Sequence, residues 1–159
     1  MLKVITLCFL LKRIFRGIGF VVALFLSFPI LLHGQSDSLQ YNLSSPYHTI
    51  FTHLSNLQDN TYHPGVSAKA FSIESKDPEK ATIAATQLKQ ILDGAGHYIY
   101  LEDVPKSPDY FDSLIQKHRF VPVEDYQNIY LEKVGDRWLY PEKAVREINL
   151  LLSIGLEGL

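Results

Sequence analysis

Apolar residues recur at helical spacing in four segments of the chain, and a proline stands at or near the start of each. Proline suits the first turn of a helix because that turn needs no backbone N–H donor. Ser45 and Asp77 directly precede two of these prolines and are typical N-cap residues. The pattern predicts helices over 45–57, 63–71, 78–94 and 141–152.

The stretch LKQILDGAGHYIYLEDVP, residues 88–105, predicts the end of the third helix and a strand after it. Gly94 and Gly96 can take the left-handed backbone that closes a helix. The alternation from His97 to Leu101 then favours a half-buried strand, bounded by Pro105. The prolines that follow, with Asp109 and Ser113, predict an ordered loop.

The strongest strand prediction is a hairpin over residues 129–140. Residues 129–134 and 137–140 flank Gly135-Asp136, and glycine at the first loop position fits a type II′ turn. Residues 120–123 favour a short edge strand because Pro122 cannot donate to a neighbouring strand. The fold class predicted is α+β, a helix-rich small domain with a short antiparallel sheet.

The N-terminal region has the pattern of an export signal. Residues 17–32 are sixteen positions without a charge, preceded by LKRIFR and followed by a polar stretch. The run is short for a membrane-spanning helix, which needs about 20 apolar residues. We expect a signal peptide or membrane anchor over 1–34, a linker over 35–44, an extracytoplasmic domain over 45–152 and an apolar tail over 153–159, with the body on the outer side of the cytoplasmic membrane.

Charge is divided unevenly along the chain. The formal net charge is −2, but four basic residues and no acidic residue lie in the first sixteen positions. The remainder has 11 basic and 17 acidic residues, a net charge of −6. Such a body repels phosphate backbones, which disfavours nucleic acid as a partner. The single cysteine, Cys8, allows no intrachain disulfide.

The candidate catalytic and metal-binding residues do not have the sequence spacing that such sites require. His48 and His53 are five residues apart on one predicted helix, about 140° around its axis, which does not suit a shared metal ion. The acidic pairs Glu102-Asp103 and Glu124-Asp125 are typical of a solvated edge. Neither a nucleophile elbow nor a phosphate-binding glycine loop occurs in the sequence. We therefore expect no enzyme activity, no cofactor and no metal.

Aromatic residues are the remaining chemical signal. Several lie on predicted strands, where they fit either a sheet face packed on helices or a ligand-binding groove. The packed face is the preferred interpretation. The residues that would form a ligand or partner surface are Tyr98, Tyr100, Tyr130 and Trp138.

Three segments taken together resemble a known family. They are SPYHTIFTHLSNLQDNTYHPGVSAKAF at 45–71, LKQILDGAGHYIYLEDVPKSPDYFDS at 88–113 and IYLEKVGDRWLYPEKAV at 129–145. They resemble the N-terminal extracytoplasmic region of MscS-like, small-conductance mechanosensitive channels of Bacteroidetes type. The pore helices and cytoplasmic β domain of that family have no counterpart in this sequence. Tyr140 also stands where the family pattern leads us to expect a helix-capping serine.

The resemblance implies a non-enzymatic exported domain with an interaction or modulatory role at the cytoplasmic membrane. A membrane or membrane-protein partner follows from it, and homo-oligomerisation through an associated channel is compatible with it. The C-terminal stretch from Leu150 should then face a membrane or a partner. The alternative is a stand-alone periplasmic domain that binds a small ligand between the hairpin and the third helix.

Overall fold

The computed structural model describes residues 41–157, and side chains as far as Gly155. The predicted leader, residues 35–40 of the predicted linker and the last two residues of the predicted tail lie outside the described residues. Helix α1, Pro46–Ser55, begins as the sequence predicts. The Ser45 side chain accepts a hydrogen bond from the His48 backbone N–H, and Pro46 occupies the first turn.

The second and third helices also follow their predicted start signals. Helix α2, Pro64–Ser67, continues into a 3₁₀ turn over Ala68–Ala70. Helix α3, Pro78–Ala95, is capped by Asp77, whose carboxylate accepts from the Lys80 N–H at 3.0 Å. It ends on Gly96, which has a φ of 71°, so the predicted glycine stop is confirmed.

The sheet is antiparallel and has the strand order β1-β2-β3 within the described part of the chain. The strands are β1, Arg119–Phe120, β2, Leu131–Val134, and β3, Arg137–Leu139. Gly135 has a φ of 60° and Asp136 does not have a positive φ, as a type II′ turn requires. The pairing of β2 with β3 confirms the hairpin, whereas the edge strand covers residues 119–120 and not the predicted 120–123.

Helix α4, Glu142–Glu157, packs on α3 and closes the core. Ala144, Val145 and Ile148 are buried on its inner face. The aromatic centre of the core joins α1, the α2 turn and the end of the hairpin, where the Phe71 and Tyr140 rings stack at 4.8 Å. These elements make a small α+β domain, which confirms the predicted fold class.

Three local predictions differ from the structure. Residues 97–100 form no strand, and Leu101–Asp103 is a 3₁₀ turn, because no neighbouring strand is there to take up the backbone hydrogen bonds. Leu43, placed in the linker, is buried, and its carbonyl accepts from the Trp138 N–H at 2.7 Å. The predicted tail continues α4 as far as Glu157.

Candidate functional site

Trp138 does not lie on a surface, contrary to its assignment to the aromatic surface. Its side chain is 0% exposed, and the indole N–H donates to the Pro108 carbonyl at 2.9 Å. Strand alternation predicts that Trp138 lies on a sheet face, but no local pattern indicates that residues 108–118 cover that face. Trp138 is a core residue that holds this covering segment in place.

The three tyrosines of that predicted surface have different surroundings. Tyr98 is 78% exposed and Tyr100 is also exposed, both in the irregular segment after α3. Tyr130 is half-buried, and the Arg119 guanidinium lies over its ring at 3.9 Å from the centroid. No aromatic ring pair among the described residues includes Tyr98 or Tyr100, so the four residues do not form one cluster.

A second exposed apolar feature, Phe111–Ile115, was not identified from the sequence, and we call it the apolar loop. Leu114 is 94% exposed, and Phe111 and Ile115 are also exposed. Scattered exposed apolar residues are normal, but three within five positions are an unusual concentration. The available sequence signal was the Leu-Ile pair inside an otherwise polar stretch bounded by Asp112 and Lys117.

Hydrogen bonds give the apolar loop a defined backbone. Asp112 and Lys117 exchange two backbone hydrogen bonds, at 2.8 and 3.2 Å. The Asp112 carboxylate accepts from the N–H of Leu114 at 2.9 Å, and Gln116 closes the turn with a φ of 54°. The loop thus displays its apolar side chains from a fixed turn.

The base of the apolar loop rests on the core. His118 Nδ1 donates to the Tyr110 carbonyl at 2.7 Å, and the His118 and Phe111 rings meet edge to face at 5.2 Å. Tyr110 in turn lies 6.2 Å from the Trp138 ring. The exposed tip of the apolar loop, Leu114, therefore projects from a base whose Tyr110 packs against Trp138.

A third feature is a shallow groove between the C-terminal halves of α3 and α4, which we call the α3–α4 groove. Its volume is about 920 Å³, including the open space above it. Apolar and small residues dominate its lining, and Leu150 and Ile154 are exposed on the same helix, α4. The lining residues are Gln90, Ile91, Gly94, Ala95, Tyr126, Leu151, Leu152 and Gly155.

The place where the sequence suggested a ligand pocket holds only a small apolar cavity. It lies between α3 and the hairpin region, and the volume within it that the centre of a water molecule can occupy is about 10 Å³. Ligand pockets span about 300–1,000 Å³, so this cavity falls below that range. It is lined by Leu88, Leu92, Ile99, Pro122, Val123, Tyr126, Ile129 and Tyr140.

Two titratable side chains are fully buried near the aromatic centre. His53 Nε2 donates to the Ala85 carbonyl at 2.9 Å, while Nδ1 has no partner within the described residues. Burial, against the opposing effect of the Ala85 hydrogen bond and with a smaller contribution from the charge of Lys89, lowers the pKa of His53 to about 4. Burial also raises the pKa of Tyr140 above its usual range. The structure thus keeps both groups neutral near pH 7.

The histidines and carboxylates of residues 41–157 form no group of three that could hold a metal ion. His48 Nδ1 lies 2.7 Å from the Ser45 hydroxyl, whereas the buried ring of His53 faces Ala85. The two rings thus have different partners.

Within the same part of the chain, no helix is both long and apolar enough to cross a membrane. Comparison with protein-family models, curated proteins and solved structures finds no match for the chain.

Proposed function

We propose that the chain is a non-enzymatic exported domain of MscS-like channel lineage. It binds a membrane protein at the outer side of the cytoplasmic membrane, most directly a channel of the lineage it resembles. The export-like leader, the three resembling segments and the failure of catalytic patterns support this function. The observation that carries it is the α3–α4 groove with Leu150 and Ile154 beside it.

The groove suits an apolar helix of the partner better than a small molecule. It is open and shallow, and small residues form part of its floor. A Cβ atom built on Gly94 or Gly155 would meet nothing within 4 Å, so both positions leave room above the backbone. Small residues of this kind let helices approach closely, as they do where membrane helices pack together.

Exposed apolar side chains on α4 extend this surface. Ile154 is 58% exposed and directly precedes Gly155 of the groove. Burying such side chains against a partner contributes about 25 cal/mol per Å² of apolar area. This agrees with the expectation that the chain from Leu150 onward faces a partner.

Patch-clamp recording tests the proposal directly. Membranes containing an MscS-like channel of the same organism are recorded with and without the chain. We expect the wild-type chain to shift the tension at which the channel opens, and Ile154→Glu to abolish that shift because it places a charge in the apolar contact.

Ile83→Glu is the matched control, because Ile83 is a similarly exposed isoleucine, at 49%, on α3. It should shift the opening tension as the wild type does. A wild-type chain without effect on opening tension, or an Ile154→Glu chain with full effect, would contradict the proposal.

A further inference from the structure

We infer that the apolar loop inserts into the lipid bilayer, so that Leu114 anchors the domain on the membrane surface. The inference rests on the export assignment within the proposed function and does not depend on the channel lineage. The inference starts from the exposure of Leu114, an apolar residue that is 94% exposed to solvent. Phe111 and Ile115 extend the apolar surface on the same turn.

The backbone of the apolar loop already forms a hydrogen-bonded turn in the absence of lipid. The Asp112 carboxylate accepts from the backbone N–H groups of Leu114 and Ile115, at 2.9 and 3.4 Å. Gln116 Nε2 donates to the Ser113 carbonyl at 2.6 Å. These bonds already satisfy polar backbone groups that would otherwise lose water on entering lipid. A preformed turn also loses less conformational entropy on binding.

Charge near the loop is complementary to anionic lipid headgroups. Residues 106–119 contain the basic residues Lys106, Lys117 and Arg119 and the acidic residues Asp109 and Asp112, for a net charge of +1. On the neighbouring strand Lys133 pairs with Asp109 and Glu132 lies opposite Arg119, so these two residues leave the local balance at +1. The chain after residue 16 has a net charge of −6, so this local balance is of opposite sign. A segment of net positive charge around an apolar tip favours an anionic membrane surface.

Chain connectivity favours lipid over a soluble protein as the occupant. The apolar run ends at Leu32, and Leu43 follows eleven residues later, which span at most roughly 40 Å. Leu43 accepts the Trp138 N–H, and the Trp138 indole donates to Pro108 at the start of the loop segment. Trp138 therefore contacts both Leu43, near the N-terminal end of the domain, and Pro108, at the base of the apolar loop. A retained anchor would keep this region within reach of the bilayer.

A fluorescent probe at position 114 tests the insertion. The full-length chain in a Cys8→Ser background receives Leu114→Cys, is labelled with an environment-sensitive dye and is reconstituted in protein-free vesicles of phosphatidylethanolamine and phosphatidylglycerol. We expect blue-shifted emission and at least severalfold stronger quenching by lipids that carry a quencher in the acyl chain than by a water-soluble quencher. The same label at Ile83→Cys, on α3, should behave as in water.

The cysteine at 114 should leave the urea unfolding midpoint unchanged, since the native side chain is almost fully exposed. Replacing Phe111 and Ile115 by serine should return the probe at 114 to an aqueous environment. A probe at 114 that stays water-exposed in these vesicles would overturn the inference. So would a probe shielded only when membrane proteins are added, because the occupant would then be a protein. Neither result would affect the Ile154 test of the proposed function.

Discussion

The helical framework and the segment 97–130 are built on different principles. The framework, α1 to α4 with the hairpin, has capped helices and contributes nearly all of the buried apolar residues. Segment 97–130 contains one two-residue strand, buries only Val104 and Ile129, and packs several of its other apolar side chains partly on the core. Hydrogen bonds from side chains and turns shape its backbone. Stability therefore resides mainly in the framework, whereas the intervening segment carries exposed apolar residues at its surface.

Trp138, on β3, is central to the contacts between the two regions, because Pro108 and Tyr110 of segment 97–130 lie against it. The first prediction concerns a substitution that removes these contacts of Trp138. Trp138→Ala should lower the free energy of unfolding by about 3–5 kcal/mol, because it leaves a large cavity and an unpaired Pro108 carbonyl. Urea denaturation measures the change.

Trp138→Phe is the control for packing without the indole N–H. It should lower the free energy of unfolding by about 1–3 kcal/mol, because it loses the hydrogen bond. This is less than the effect of Trp138→Ala, since an aromatic ring is kept. If Trp138→Ala cost less than about 1 kcal/mol, the contact between the two regions would not depend on this side chain.

The second prediction concerns pH and the framework core. Because the folded pKa of His53 is about 4 and the unfolded value is 6.5, only the unfolded state binds this proton between those values. Stability is therefore unaffected by His53 well above pH 6.5 and falls as the pH drops toward 4. We expect a loss of about 2 kcal/mol between pH 7 and pH 5, measured by urea denaturation at each pH.

His53→Gln keeps a side-chain donor for the Ala85 carbonyl but cannot titrate. The variant is expected to be less stable at pH 7 and to lose most of the pH dependence. An equal loss of stability between pH 7 and pH 5 in both proteins would assign the effect to other groups.

The third prediction tests the helix start in the framework. Ser45→Ala removes the acceptor for the His48 N–H and should cost about 1 kcal/mol of unfolding free energy. Ser55→Ala, at the other end of α1, removes only a bond back to the Phe51 carbonyl and should change stability by less than about 0.5 kcal/mol. Equal effects of the two substitutions on the urea midpoint would argue against the cap.

The smallest effect on global stability is expected in the apolar loop. Asp112→Ala should change the unfolding free energy by no more than about 0.5 kcal/mol, because the carboxylate supports only its own turn. Hydrogen exchange at the amides of Leu114 and Ile115 should nevertheless accelerate. Asp112→Asn retains an acceptor oxygen and should largely preserve their protection. Unchanged exchange in Asp112→Ala would show that other contacts order the loop.

The framework was predictable because its signals are local. Ser45-Pro46, Asp77-Pro78 and Gly96 each specify a helix end through their own backbone and side-chain chemistry. Gly135 does the same for the hairpin. These features required no knowledge of distant parts of the chain.

The surfaces were harder to predict because they depend on distant partners. The alternation from His97 to Leu101 suits a strand, but no second strand lies beside it to pair with. The sequence left both a packed face and a ligand surface open for Trp138, because the residues that cover it, Pro108 and Tyr110, are about thirty residues away in sequence. Leu114 lies in a polar stretch without periodicity, so its exposure became evident only from the folded turn.

Hydrogen exchange on the full-length chain with and without anionic vesicles tests the central claim, that the framework supplies stability while segment 97–130 supplies a membrane-facing surface. The account predicts slower exchange at residues 111–116 when vesicles are present and unchanged exchange in α1 and in the N-terminal half of α3. Unchanged exchange at residues 111–116, or slowing confined to α1 and α3, would contradict it.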